Sequence, residues 1–154
     1  SMEKLISRQT LFQSSLVLAT FFIAWLGGLS TIYTDWSWYE SLNKPSFNPP
    51  NYLFGIVWPI LYLLMSIVSF INAKTIYKLY LLQLVVNGLW SWIFFAFQSI
   101  GFAFLDIVVL IFLNILIMKQ LRETQAWLSL MLYTPYILWI TFASILNLSI
   151  LVLN

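Results

Sequence analysis

Trp36-Ser37-Trp38-Tyr39-Glu40-Ser41-Leu42-Asn43-Lys44-Pro45-Ser46-Phe47-Asn48-Pro49-Pro50-Asn51-Tyr52 is the one long polar interruption in an otherwise apolar sequence. Its three prolines fix φ and its five aromatic rings seek burial, whereas flexible tethers are rich in Gly and Ser. The stretch reads as an ordered lid, and what flanks it decides the fold. The chain is 62% hydrophobic, 19% aromatic and 8% charged, against roughly 25% charged residues in a soluble domain. An integral membrane protein follows. Its 154 residues hold about five spans of ~20 residues with short connections, leaving no room for a separate soluble domain.

The expected architecture is all-α: one membrane bundle, residues 1–154, of five transmembrane helices with an ordered first loop. Working outward from the lid at 34–52, the spans are 10–33 before it and 53–72, 79–97, 102–118 and 126–152 after it. Gly27 and Gly28 lie near the end of the first span, where they allow close approach of a neighbouring backbone or ligand or, the reading preferred, ordinary small-residue helix packing. Pro59 is placed one turn inside the second span, where a missing N–H costs least, and Pro135 is expected to kink or divide the last. Ser1 before Met2 reads as a residue left by tag cleavage. The first apolar segment is too long for a signal peptide and lacks a small-x-small cleavage site, so it is expected to be retained.

Charge sets the expected orientation. Lys4, Arg8, Lys74, Lys78, Lys119 and Arg122 fall on one side of the bundle and only Lys44 on the other. Positive residues favour the cytoplasm, which puts the N-terminus inside and the lid outside, in what the compact, tail-free ends suggest is a bacterial plasma membrane. With a net charge of +2 and no basic run, nucleic acid is not an expected partner. The chain has no Cys and no His. Disulfides, thiolate and imidazole chemistry, and the commonest metal ligands drop out together, so no metal site and no bound cofactor are expected.

Polar side chains recurring on one face of a span mark a bundle interior or a ligand cavity. Gln83, Asn87 and Ser91 are spaced i, i+4, i+8, with Trp90 beside them. Tyr136, Trp139, Ala143 and Asn147 share a face of the last span, and Trp58, Tyr62 and Met65 or Ser66 share one on the second. Two readings stand: interhelical hydrogen bonding with Trp and Tyr as interfacial belts, or one aromatic cavity under the lid. Trp58, Trp90 and Trp139 favour the cavity, because an indole buried within a span needs a partner for its N–H. Asp106, the only acid within a span, is either a proton or substrate relay or a structural carboxylate bonded to backbone N–H groups or an indole; the structural role is preferred. Asn114 carries less information. Glu40 and Lys44 form an i, i+4 pair if the lid's start is helical, and would stiffen it.

The pattern Trp38-Tyr39-x-x-Leu42-x-Lys44-Pro45-x-Phe47-x-Pro49-Pro50, then Phe54-Gly55-x-Val57-Trp58-x-x-Leu61-Tyr62-x-Leu64-Met65, resembles the translocator proteins, also called tryptophan-rich sensory proteins or peripheral-type benzodiazepine receptors. Gln83-Leu84-x-x-Asn87-x-Leu89-Trp90-Ser91, Asp106 and Pro135-Tyr136-x-Leu138-Trp139-x-x-Phe142-Ala143-x-x-Leu146-Asn147 extend the resemblance over nearly the whole chain. It implies a five-helix bundle, commonly a homodimer in membrane lipid, that binds tetrapyrroles such as protoporphyrin, and isoquinoline or benzodiazepine ligands, under the first loop. The implied ligand-binding residues are Trp38, Tyr39, Trp58, Gln83, Asn87, Trp90, Trp139 and Ala143, to which the shared helix faces add Tyr62, Tyr136 and Asn147 as candidates. Trp58 and Trp139 match the tryptophan pair associated with porphyrin, and would be catalytic if the porphyrin is photodegraded. Trp92 stands where the family often has proline and Phe47 where it often has tryptophan. The C-terminal Leu148–Asn154 lacks the Tyr and Lys or Arg of the animal cholesterol-recognition pattern, so sterol binding by that motif is not expected.

The function expected first is a membrane receptor or carrier for porphyrins and related flat hydrophobic ligands. Metal-free porphyrin is the expected guest, since His and Cys, the usual strong axial ligands of haem iron, are missing. An enzyme-like alternative is light-dependent oxidative breakdown of the porphyrin by the pocket tryptophans. A third is a small proton-coupled exporter, which needs an ionisable group deep in a span, where the chain offers only Asp106 near one end.

Overall fold

The computed structural model describes residues 1–154 and contains six helices and no strand. They are α1 (Met2–Leu29), α2 (Trp36–Ser41), α3 (Asn51–Ile71), α4 (Ala73–Ser91), α5 (Ile100–Glu123) and α6 (Trp127–Leu153), with a π-helical turn at Trp92–Ala96 continuing α4. Five of them, of 21 to 28 residues when that turn is counted with α4, are long and apolar enough to cross a ~30 Å hydrocarbon core at 1.5 Å per residue. The sixth, α2, is the lid. The protein is an integral membrane five-helix bundle. Around it the order is α1, α3, α6, α5, α4, with α4 closing back on α1.

Helix ends differ from the sequence expectation where polar residues extend an apolar span. α1 starts at Met2 rather than near Thr10, because Met2–Gln9 contains good helix formers and Ser1 Oγ accepts from Lys4 N at 3.3 Å. α3 starts at Asn51, directly after Pro49 and Pro50, so Pro59 sits two turns inside it rather than one. A proline there leaves the carbonyl of Gly55 without its usual donor. α6 runs through Pro135 without dividing.

The three tight connections are made by side chains and two unusual backbone conformations. Between α3 and α4, Asn72 Nδ2 donates to Val68 O at 2.9 Å and to Ser129 Oγ at 2.7 Å, joining this corner to α6. Gln98 and Gln125 end the helices before them at φ 55° and 57°, the left-handed region usually given to glycine. The π-helical turn is closed by Phe97 N donating to Trp92 O at 2.9 Å, and it rotates Phe94 and Phe95 toward α2.

The core has two parts. Away from the lid, Leu61, Met65, Val68, Ile76, Tyr80, Leu84, Ile107, Leu110, Ile117, Leu121, Tyr133, Tyr136, Ile140 and Ala143 pack into one buried cluster. Under the lid, Tyr39, Phe94, Ala103 and Ile150 form a smaller one. Between them the interior opens.

Candidate functional site

The lid lies over the cavity and carries a capped helix of its own. Asp35 Oδ1 accepts from Ser37 N and Trp38 N at 3.1 and 3.4 Å, capping α2. The Ser37 hydroxyl and then the Trp38 N–H hold this carboxyl below its ordinary value. α2 lays Tyr39 against Phe95 at 5.4 Å between ring centroids and Trp38 against Phe94 at 6.3 Å. Burial pushes the Tyr39 hydroxyl up, and Lys44 Nζ stands 4.5 Å over its ring. Glu40 and Lys44 are not paired as the spacing predicted. α2 ends at Ser41 and Leu42 is extended, which carries Lys44 away from the helix face. The middle of the lid is fastened instead to the C-terminus: Asn43 N donates to Asn154 Oδ1 at 3.0 Å, and Asn154 Nδ2 to Asn43 O at 2.9 Å.

Beneath it lies a cavity of about 840 Å³. Of the sequence-predicted residues, Tyr39, Trp58, Tyr62, Asn87, Trp90, Ala143 and Asn147 line it. Trp58 and Tyr62 stack at 5.5 Å on one wall, and Trp90 lies 5.3 Å from Phe94 on another. The Trp90 indole is held by Asn147, whose Oδ1 accepts from Nε1 at 2.9 Å while its Nδ2 donates to Ile100 O at 2.9 Å. One asparagine thus joins α4, α5 and α6 at the cavity wall.

Four predicted residues stand behind the wall. Trp38 faces Phe94 from the lid. Trp139 meets Trp58 edge to face at 6.4 Å and packs against Phe54 and Phe142; its Nε1 is buried without a partner. Gln83 and Tyr136 form the floor: Tyr136 Oη donates to Gln83 Oε1 at 2.6 Å and accepts from Asn87 Nδ2 at 2.9 Å. Tyr62 Oη in turn donates to Asn87 Oδ1 at 2.6 Å, so the network begins on the cavity wall and runs inward. Ser91, the last residue of the predicted stripe, lines the cavity and donates from Oγ to Gly27 O on α1 at 3.3 Å.

The two readings of the polar stripes therefore both apply, at different depths. The sequence understated Asn114, which donates to Gln83 Oε1 at 3.1 Å and accepts from Tyr133 Oη, completing the buried cluster. It also missed Phe94, Leu146 and Ile150 on the wall, although the last two share a helix face with Ala143 and Asn147. Asp106 accepts no hydrogen bond, contrary to the structural role expected for it; its Oδ2 is buried without a partner, and it does not line the cavity. Trp92, at a position where proline was the resemblance's norm, donates from Nε1 to Leu26 O at 2.9 Å and ties the π-helical turn to α1. No cluster of His, Cys, Asp and Glu able to hold a metal is present.

Comparison with known proteins agrees over most of the chain. A sequence model of the TspO/MBR family matches residues 16–153. Protein CrtK of Rhodobacter capsulatus is 35% identical over 149 residues, 90% of this chain and 92% of that protein. The tryptophan-rich protein TspO of Archaeoglobus fulgidus is 36% identical over 146 residues, 90% and 94% of the two chains. The human translocator protein is 31% identical over 125 residues, 71% of this chain and 70% of that one.

Proposed function

The chain belongs to the TspO/MBR family, and from that premise we propose that it is a membrane receptor and carrier for protoporphyrin-like tetrapyrroles and related flat hydrophobic ligands, bound under the lid. One observation carries the reading. A cavity of about 840 Å³, within the ~300–1,000 Å³ of small-molecule sites, is walled by stacked aromatic rings and has few polar groups at its inner end. A planar macrocycle stacks on Trp58, Tyr62 and Trp90, and Asn87 offers its polar edge a side chain already oriented by Tyr62 and Tyr136. Asp106, the acid a proton-coupled exporter would use, lies off the cavity wall, which favours binding over export. The protein works as a homodimer in membrane lipid, with the N-terminus cytoplasmic and the lid outside.

The indole pair supports a second reading, photo-oxidation of the bound porphyrin with dioxygen as oxidant. Trp58 lies on the wall with Trp139 edge to face behind it; the excited macrocycle passes one electron to dioxygen, the superoxide formed adds to the macrocycle radical cation, and the nearer indole holds that ring in place while it reacts. Tryptophan quenching by protoporphyrin in the dark, on the wild type and on Trp58→Phe with Trp139→Phe, tests the first reading; illumination of the saturated complexes tests the second. Saturable binding weakened by about tenfold in the double variant is expected. Non-saturable quenching identical in both proteins rejects the pocket, and a light product that persists without the two indoles rejects their chemical role.

A further inference from the structure

α1 and α3 are tied together at the end away from the lid, where Gln13 Nε2 donates to Phe70 O at 2.8 Å. Toward the lid both helices contribute residues to the cavity wall. The exposure of the wall is one-sided: every wall residue classed as exposed belongs to α1 and the turn after it, to the lid, or to α3. Those from α4, its π-helical turn and α6 are all buried or half-buried.

The exposed positions trace a slot. It runs down α1 from Thr31 through Gly28 to Phe21, and down α3 from Asn51 through Gly55 to Pro59. At 1.5 Å per residue that is roughly 12–15 Å of depth, enough to pass from the polar interface into the acyl chains. Its rim is polar and its lower part apolar. A Cβ added at Gly28 or Gly55 would meet no heavy atom within 4 Å, so no neighbouring side chain fills the gap at either place. Gly27, one residue away, faces Ser91 Oγ at 3.4 Å and serves ordinary helix packing instead. The lid, by contrast, is fastened to the turn after α1 by Trp36 Nε1 donating to Thr31 O at 3.2 Å and to the C-terminus by the Asn43–Asn154 pair.

We propose that the cavity is loaded sideways from the bilayer through the slot between α1 and α3, with Gly28 and Gly55 as its two sills, while the lid stays shut. This rests on the ligand reading above. A flat amphipathic molecule in a leaflet keeps its apolar body among the acyl chains and its polar edge at the interface. It reaches the slot already oriented, its body level with Phe21 and Pro59 and its edge level with Thr31 and Asn51. Glycine at the sills leaves width for a planar ligand to pass edge-on.

The test uses the full chain in liposomes with protoporphyrin dissolved in the same bilayer, followed by tryptophan quenching in the dark. Gly28→Leu and Gly55→Leu place a side chain in the gap and are better helix formers than glycine, so folding is retained and is checked by thermal unfolding. Association and dissociation should both slow by about tenfold, leaving affinity within about threefold, because a narrowed passage acts equally in both directions. Unchanged rates in both variants overturn the proposal, as does weaker affinity without slower association. Asn43→Ala with Asn154→Ala frees the lid and should leave association unchanged; faster association would move the route to the lid and overturn the slot.

The slot is also read without porphyrin, which separates its failure from that of the ligand reading. Brominated acyl chains quench the indoles they reach. Trp58→Phe should reduce that quenching in the wild type and have no effect in the Gly28→Leu, Gly55→Leu background. An equal effect in both backgrounds rejects the slot, whereas wild type that fails to bind protoporphyrin saturably rejects the ligand.

Discussion

In the half of the bundle away from the lid, Gln83, Asn114, Tyr133 and Tyr136 bond to one another in a fully buried cluster; in the lid half, Trp58, Trp90 and Asn147 stand around about 840 Å³ of cavity. The residue types are alike, with aromatic rings and side-chain amides at helical spacing. What differs is what the side chains face, since Trp90 and Asn147 in the lid half are hydrogen-bonded as well. In the inner half they are satisfied inside the protein, so their contribution is to stability and to fixing helix rotation. In the lid half rings face the cavity, where the proposed function gives them recognition as their role. Asn87 belongs to both: it is 5% exposed, lines the cavity, and bonds to Tyr62 on one side and Tyr136 on the other.

Breaking the inner half should have the largest effect on stability. Gln83→Leu leaves Tyr136 Oη and one Asn114 N–H without their acceptor, and should cost about 2 kcal/mol, read as a lower melting temperature in detergent. Asn147→Ala removes the clamp on Trp90 and Ile100 O at the wall; about 1 kcal/mol of stability should go, and Trp90 emission should shift as its indole N–H loses its acceptor. Tyr62→Phe sits on the boundary. It deletes one hydrogen bond worth about 0.5–1.5 kcal/mol, and the freed Asn87 amide should weaken protoporphyrin binding more than it lowers the melting temperature. If melting temperature falls and binding does not, the wall and the core are not separate in function.

The smallest effect tests the scaffold that both halves share. Gln125 adopts φ 57° at the end of α5, and Gln125→Gly should stabilise by up to about 1 kcal/mol without changing ligand affinity. A loss of stability would show that the glutamine side chain supports the corner.

The legible parts of this molecule are those whose cause is local. Apolar length marks the five spans, and the prolines and rings of the lid mark it as ordered. The stripe through Gln83, Asn87 and Trp90 pointed inward because one helix face carries its own periodicity. Helix ends were less legible, since α1 extends through Glu3, Lys4 and Arg8 where hydropathy gives no sign of a helix. The Glu40–Lys44 pair failed because α2 stops at Ser41, a boundary set by the turn and not by the two charges. Asn114 and Asp106 show the same limit from both sides. One polar residue in an apolar span proved central, and the other has no partner at all.

The sequence by itself determined that this is a five-span membrane protein with a folded lid and inward-facing aromatic and amide stripes, since burial preference and backbone restriction act on each segment alone. Only the tertiary structure decided which of those stripes became core and which became cavity wall, that Trp139 lies behind Trp58 and not beside it, and that the exposed part of the wall belongs to α1 and its following turn, the lid and α3. Those outcomes depend on how far apart two helices stand and how each is rotated against its neighbours. Separation and rotation are set by packing across the whole ring, and no single helix's periodicity contains them.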